Sequence, residues 1–252
     1  MLLKILKKVA GIFGFKLIDK NFVKNNRLLT GDSLISMKAL LRNLFENNKI
    51  NRLLQIGAND GKRFDEVNFF IKKYSTFCIL VEPIKEYFEE LKKNYSNQKN
   101  IIFENQCISV NNEIPFLYKV NQSKTYFYDD HIKGLASFDQ KHLIKHGVKK
   151  NHIIKEKVTG ISIRDLLKKH SMNNLDLLMI DAEAYDSQIV IDFLKNLNIR
   201  TLIIFEYIHI QHNAFIELLT LLKEKDYSYF SIGENVICVP NEKKPILSFT
   251  IN

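Results

Sequence analysis

A short run built on Leu53, Leu54 and Ile56 passes directly into Gly57-Ala58-Asn59-Asp60-Gly61 and then into an amphipathic stretch, Lys62–Tyr74. A strand that turns sharply through glycines into a helix constrains the rest of the fold, because the helix returns the chain for a parallel neighbour by a right-handed crossover. The remaining sequence repeats that alternation. Further strands are predicted at Phe77–Val81, Ile101–Cys107, Leu175–Ile180 and Thr201–Phe205, alongside the first at Arg52–Ile56. Their apolar runs are nearly continuous, the pattern of strands covered on both faces. Helices are predicted at Ile84–Tyr95, Ser162–His170 with Ser162 as N-cap, Ser187–Leu197 and Asn213–Lys225. Tyr227–Ile232 and Asn235–Val239 flank Gly233-Glu234, a two-residue hairpin signal, so a mostly parallel α/β sheet should end in an antiparallel pair.

The 252 residues, 46% of them hydrophobic, suffice for one compact domain, read as 31–252 behind an extension over 1–30. Within that domain the alternation breaks between Asn111 and Gly160. This insertion carries Phe116, Tyr118, Tyr126, Phe127, Tyr128 and Phe138 with His131, His142, His146 and His152, and it is the expected cover for a substrate. Residues 1–27 contribute +6 of the net charge of +9, leaving the body nearly neutral. Nucleic acid is therefore not an expected partner, since neutralising phosphates supplies most of that affinity. Residues 1–18 read as a short basic amphipathic helix. It is expected first to pack on its own domain or on a homo-oligomer partner, and second to rest peripherally on an anionic membrane face. No run of eighteen apolar residues is free of charge, which argues against a membrane span. Cys78, Cys107 and Cys238 are odd in number and sit in predicted strands, which suggests free thiols and a cytoplasmic location.

The turn carries the chemistry. Gly57 permits a tight bend, Gly61 close backbone approach, and Asn59 stands where a third glycine often stands, as the other residue type that tolerates a left-handed backbone. Twenty-one residues beyond Gly61, Glu82 ends the second strand, where an acid can accept both hydroxyls of a ribose. NAD and S-adenosylmethionine both fit such a unit. The GxNxG spacing, preceded by Gln55, lies nearer the turn of methyl-donor enzymes than the GxGxxG that cradles a pyrophosphate. S-adenosylmethionine is the preferred ligand on that ground.

The IGANDG turn, Val81-Glu82-Pro83, the block Leu177-Leu178-Met179-Ile180-Asp181-Ala182-Glu183-Ala184-Tyr185-Asp186 and Glu206 closing a hydrophobic strand together resemble the FkbM-type S-adenosylmethionine-dependent methyltransferases. The resemblance covers roughly Leu53 to Val236. It implies a class I methyltransferase (Rossmann-like) seven-stranded sheet with the antiparallel C-terminal hairpin, and O-methylation of hydroxyls on sugars, glycans or glycosylated metabolites. By motif, Gly57, Asn59 and Gly61 would contact the methionine part of the cofactor, Glu82 its ribose, while Asp181 and Glu183 would face the transfer site. Gln55, Ala58 and Pro83, which flank those motifs, Asn105 and Cys107 at the end of the third predicted strand, and Asp181 complete the expected cofactor set. The sequence departs at Ala184, where the family commonly has Gly, and at Asp186, where it commonly has Glu.

A hydroxyl at neutral pH needs a base or a metal. Asp181, Glu183, Glu206 and His209 are the candidates because they close neighbouring strands, where open α/β sheets gather ligands. A divalent metal at Glu206, His209 and His212 is the less favoured reading, and His142 and His146, which lack a HExxH glutamate, are expected to face solvent. The four prolines leave no D/N-P-P-Y/F block for holding a flipped base, and no GxSxG occurs for a serine hydrolase. The rival functions are a nicotinamide-dependent oxidoreductase on a related sheet and a non-catalytic cofactor-binding scaffold.

Overall fold

The computed structural model describes residues 24–26, 28–29, 36–47, 49–63, 65–110 and 116–243, so the helix read over 1–18 lies outside the described residues. The first half runs α1 (Met37–Glu46), β1 (Arg52–Ile56), α2 (Asn68–Tyr74), β2 (Phe77–Val81), α3 (Lys85–Asn94) and β3 (Ile101–Glu104). The insertion region comes next as β4 (Cys107–Ile108), β5 (Phe116–Val120), α4 (Asp130–Lys133), β6 (Ala136–Ser137), α5 (Gln140–Lys145), β7 (Ile153–Lys157) and β8 (Gly160–Ile161). The second half is α6 (Ile163–Lys169), β9 (Leu177–Ile180), α7 (Asp186–Asn196), β10 (Leu202–Glu206), α8 (His212–Glu224), β11 (Tyr227–Ile232) and β12 (Asn235–Pro240).

Seven strands form one sheet in the order β11-β12-β10-β9-β1-β2-β3. The pairings from β3 through to β10 are parallel, and β12 runs antiparallel to both β10 and β11. The strand order reverses between β1 and β9, which opens a crevice at the carboxyl ends of those strands. Side-chain alternation assigns each strand residue to a layer. Leu54, Ile79, Leu178 and Ile203 pack with Ile163, Phe193 and Phe215 of α6, α7 and α8 on one face. Leu53, Leu80, Leu177 and Ile204 pack with Leu41, Phe70 and Leu91 of α1, α2 and α3 on the other. With both faces covered, each fully buried Leu or Ile contributes about 1.5–3 kcal/mol, which is why the strands read as unbroken apolar runs.

Several boundaries shift for identifiable reasons. The strand predicted as Ile101–Cys107 stops at Glu104. There the Asn105 side chain donates to the carbonyls of Glu82 (2.9 Å) and Pro83 (3.1 Å), and Cys107–Ile108 pairs instead with Gly160–Ile161. The helix predicted from Lys62 begins only at Asn68. Asp60 first accepts from the N–H groups of Lys62 and Arg63, then Asp65 from those of Val67 and Asn68, so two side-chain-capped turns precede it. Ser162 caps α6 as expected, accepting from Asp165 N at 3.0 Å. Gly233, at φ +59°, opens the turn between β11 and β12.

The insertion is more ordered than its sequence suggested. β5 pairs antiparallel with both β6 and β7 in a small separate sheet. Lys119 on β5, buried, is held by Glu86 of α3 (2.9 Å) and Glu156 of β7 (2.6 Å), and the Tyr87 hydroxyl donates to Lys133 O at 2.6 Å. These contacts seat the insertion over the carboxyl edge of the main sheet. The cysteines are free and buried, and among the described residues no helix is long and apolar enough to cross a membrane.

Candidate active site

The turn after β1 is built by its own backbone. Gly57 and Ala58 both donate to Val81 O at 3.0 Å, and Gly61 N closes onto Ala58 O at 2.8 Å. Gly57 has φ +81°, and a β-carbon there would run into the backbone carbonyl of Asp181, so the position excludes any side chain. Asn59 takes φ +49°, the left-handed conformation for which an asparagine substitutes for glycine. Gly61 serves a different end from the one expected. Its missing side chain is filled by Leu91 of α3 and by Tyr95, which caps that helix, so it is a helix-packing position and does not line the cavity.

A cavity of about 970 Å³, its open mouth included, lies where β1, β2 and β9 end. Of the predicted cofactor residues, Gln55, Gly57, Ala58, Asn59, Glu82, Pro83, Cys107 and Asp181 line it, as does Glu183, while Asn105 stands behind and braces the end of β2. Glu82 is buried. One carboxylate oxygen accepts from Asn59 N (2.9 Å) and the other from Ile84 N (2.8 Å), so a single acid fixes the glycine turn and the chain leaving β2. Burial pushes its carboxyl up to about 7, against the pull of those two N–H groups and of Lys119.

The opposite wall is the turn from Asp181 to Asp186. Asp181 N bonds Ile56 O at 3.0 Å, continuing the parallel ladder, and the side chain keeps exposed surface toward the cavity while protein encloses it elsewhere. Burial, then repulsion from Glu183, Asp186 and Glu82, raises Asp181 well above the usual carboxylate range. Glu206 is raised in the same direction by burial and by Asp181, Asp186 and Glu183. Asp186 lies buried beneath the turn, accepts from Ala182 N (3.3 Å), and is pushed up to about 7 by burial. Glu183 and Ala184 both have positive φ, +48° and +81°. The Ala184 value explains why a glycine suits this position.

The insertion forms the roof. Leu117, Gly134, Ala136 and Phe138 face the cavity, and a β-carbon on Gly134 would lie 2.7 Å from Asn59 Nδ2, so roof and glycine turn are in direct contact. Ser137 Oγ donates to Glu183 O at 2.8 Å, and the Phe138 and Tyr185 rings lie 4.5 Å apart. His142 corrects the sequence reading, because it is buried and its Nε2 lies 2.9 Å from Glu183 Oε2. His146 lies beside it, partly buried, its ring tilted by 45° with centroids 4.6 Å apart. His209, whose Nε2 lies 3.6 Å from Glu206 Oε2, meets these two rings and does not line the cavity. His212 is drawn away, its Nδ1 paired with Asn25 Oδ1 at 2.9 Å, so the HxxH pair does not converge. The sequence reading missed Ser137, which carries no motif, and named Phe138 only as one aromatic of the insertion. It weighed His142 and His146 at their i,i+4 spacing and expected them to face solvent, whereas His142 is buried and His146 partly buried.

The profile of the Methyltransferase FkbM domain matches residues 55–229, from two residues before Gly57 into the final hairpin. The chain therefore belongs to the FkbM methyltransferase family, and the sheet order is that of a class I methyltransferase. No curated protein matches it. Among solved structures, it is similar to the S-adenosylhomocysteine-bound Podospora anserina methyltransferase PaMTH1, with 10% identity, 88% of this chain and 87% of that one covered, and TM-score 0.46. It is similar to the METTL16 methyltransferase domain, with 14% identity, coverage of 87% and 76%, and TM-score 0.45. The ribosomal protein L11 methylase of Lactobacillus delbrueckii subsp. bulgaricus gives 10% identity, coverage of 79% and 75%, and TM-score 0.38.

Proposed function

We propose that this chain transfers a methyl group from S-adenosylmethionine to a hydroxyl of a sugar, glycan or glycosylated metabolite. The observation that carries the reading is the shared cavity: the Gly57–Asn59 turn and Glu82 form one wall, Asp181 and Glu183 the other. The lining suits such a cofactor. Gly57, Ala58 and Asn59 present backbone to its amino-acid end, the Glu82 carboxylate stands where a ribose diol can donate to it, and Pro83, Cys107, Ile108 and Leu117 offer an apolar slot for a flat base. The bound cofactor supplies an already activated methyl on a sulfonium.

What remains for the protein is alignment and one proton. Asp181, enclosed yet open to the cavity and held above the usual carboxylate range, accepts the acceptor's hydroxyl proton at its carboxylate. Glu183, tied through His142 Nε2 and through its own carbonyl to Ser137, positions that hydroxyl. Repulsion from Glu183, Asp186 and Glu82 adds to burial and favours proton uptake at Asp181. The Phe138 and Tyr185 faces suit the apolar side of a sugar ring, which supports a carbohydrate acceptor.

Asp181→Asn tests the assignment. Turnover of labelled S-adenosylmethionine on a glycan or glycoside pool should fall about 10²–10⁴-fold, with S-adenosylhomocysteine affinity nearly unchanged. Wild-type turnover in the variant would remove Asp181 from the chemistry. Tight cofactor binding with no transfer to any hydroxyl acceptor would favour a non-catalytic scaffold.

A further inference from the structure

Three imidazoles from two separated parts of the chain meet where the insertion touches the sheet edge. His142 lies on α5, His146 caps the C-terminal end of that helix, and His209 comes after β10. Their ring centroids are 4.6 Å (142 to 146), 4.6 Å (142 to 209) and 4.9 Å (146 to 209) apart. One nitrogen of each lies within 4.8 Å of the others, and Glu183, Glu206 and His209 form a second group meeting the same limit. The two groups share His209. Glu183 also lines the cavity, so the cluster opens toward the acceptor side.

The His142–Glu183 contact at 2.9 Å is a good hydrogen bond, and His209 Nε2 stands 3.6 Å from Glu206 Oε2. Imidazoles at i and i+4 share one helix face, and a third from another element completes a tripod. Metal–nitrogen distances of about 2.0–2.1 Å put neighbouring ligand atoms about 3.0–3.5 Å apart, so small side-chain rotations bring this set onto a common ion.

We propose that His142, His146 and His209 bind one divalent transition-metal ion, with Glu183 as the carboxylate ligand facing the cavity and Glu206 steadying His209. The imidazole-rich set selects zinc, cobalt, nickel, copper or iron over magnesium and calcium, which take oxygen ligands. The ion ties the insertion to the sheet edge. If the O-methyltransferase reading holds, a Lewis acid beside Glu183 also lowers the pKa of the acceptor hydroxyl before Asp181 takes its proton. That catalytic role rests on the proposed function, whereas the metal site does not.

The test uses the full chain, stripped with a chelator and titrated with Co²⁺ while its visible absorption is followed, with Zn²⁺ as competitor and Mg²⁺ as control. The proposal requires one saturable equivalent of Co²⁺, displaced by Zn²⁺ and not by Mg²⁺. His146→Ala and His209→Asn should each weaken it by about tenfold or more, with S-adenosylhomocysteine affinity by calorimetry held within about threefold. His146 is only partly buried, so its variant carries the test if His209→Asn fails to fold. Failure to saturate at millimolar Co²⁺, or binding that survives both substitutions, overturns the site. Protein that binds Co²⁺ but ignores S-adenosylhomocysteine keeps the metal site and loses the methyl-transfer reading, and the converse loses only the metal site.

Discussion

Ala184 should be improved by glycine. It sits at φ +81° in the turn that carries Asp181 and Glu183, a backbone conformation that costs a residue with a β-carbon about 1–2 kcal/mol. Removing that carbon relieves the strain but frees the unfolded chain, which takes back about 0.4–1 kcal/mol. The balance for Ala184→Gly is a gain of about 0.5–1 kcal/mol. In urea the midpoint should rise at unchanged slope, and the melting temperature should climb by about 1–4 °C for a domain of this size. Ala214→Gly is the internal control, because Ala214 lies in α8, where glycine costs about 0.5–1 kcal/mol and the sign reverses. An Ala184→Gly variant that is destabilised, or that moves in the same direction as Ala214→Gly, would refute the strained-turn geometry on which the placement of Asp181 and Glu183 depends.

Gly57→Ala should fail more severely than any loss of ligand contacts explains, since the new β-carbon meets both a positive φ and the Asp181 carbonyl. A stability loss of about 3 kcal/mol or more is expected in denaturant titrations, and an unperturbed midpoint would contradict the close approach of β1 and β9. Glu82 gives a pH dependence of definite sign. Its carboxyl sits at about 7 in the folded protein against 4.5 ordinarily, so the folded state binds the extra proton between those values. Stability of the ligand-free protein should therefore fall as pH rises from about 4.5 to 7, by on the order of 3 kcal/mol, and Glu82→Gln should flatten that component in urea midpoints. Affinity for S-adenosylhomocysteine should move the other way and strengthen as Glu82 ionises. Calorimetry from about pH 6 to 8, on both sides of the folded value of about 7, checks it, and a pH-independent affinity would separate Glu82 from the ribose.

The central sheet was legible because burial on both faces leaves a continuous apolar signature, and the Gly57–Gly61 turn because glycine and asparagine mark left-handed backbone. Glu82 was placed just after β2 by its spacing from the turn, and it does line the cavity there. Where side chains replaced backbone bonding, the reading slipped: Asn105 ended β3 early, and Asp60 and Asp65 delayed α2. The role of Gly61 was misjudged because a missing side chain does not announce what fills its place, here Leu91 and Tyr95. His142 and His146 were read as facing solvent for a deeper reason. His142 and His146 become a cluster only when His209, more than sixty residues later, is folded against them, and no local pattern encodes that meeting.

Isothermal titration of the purified chain with S-adenosylhomocysteine addresses the methyl-donor assignment most directly. The account predicts saturable binding at one site per chain, weakened at least about tenfold by Glu82→Gln. No heat of binding at about 1 mM ligand, from protein that melts cooperatively, would contradict it.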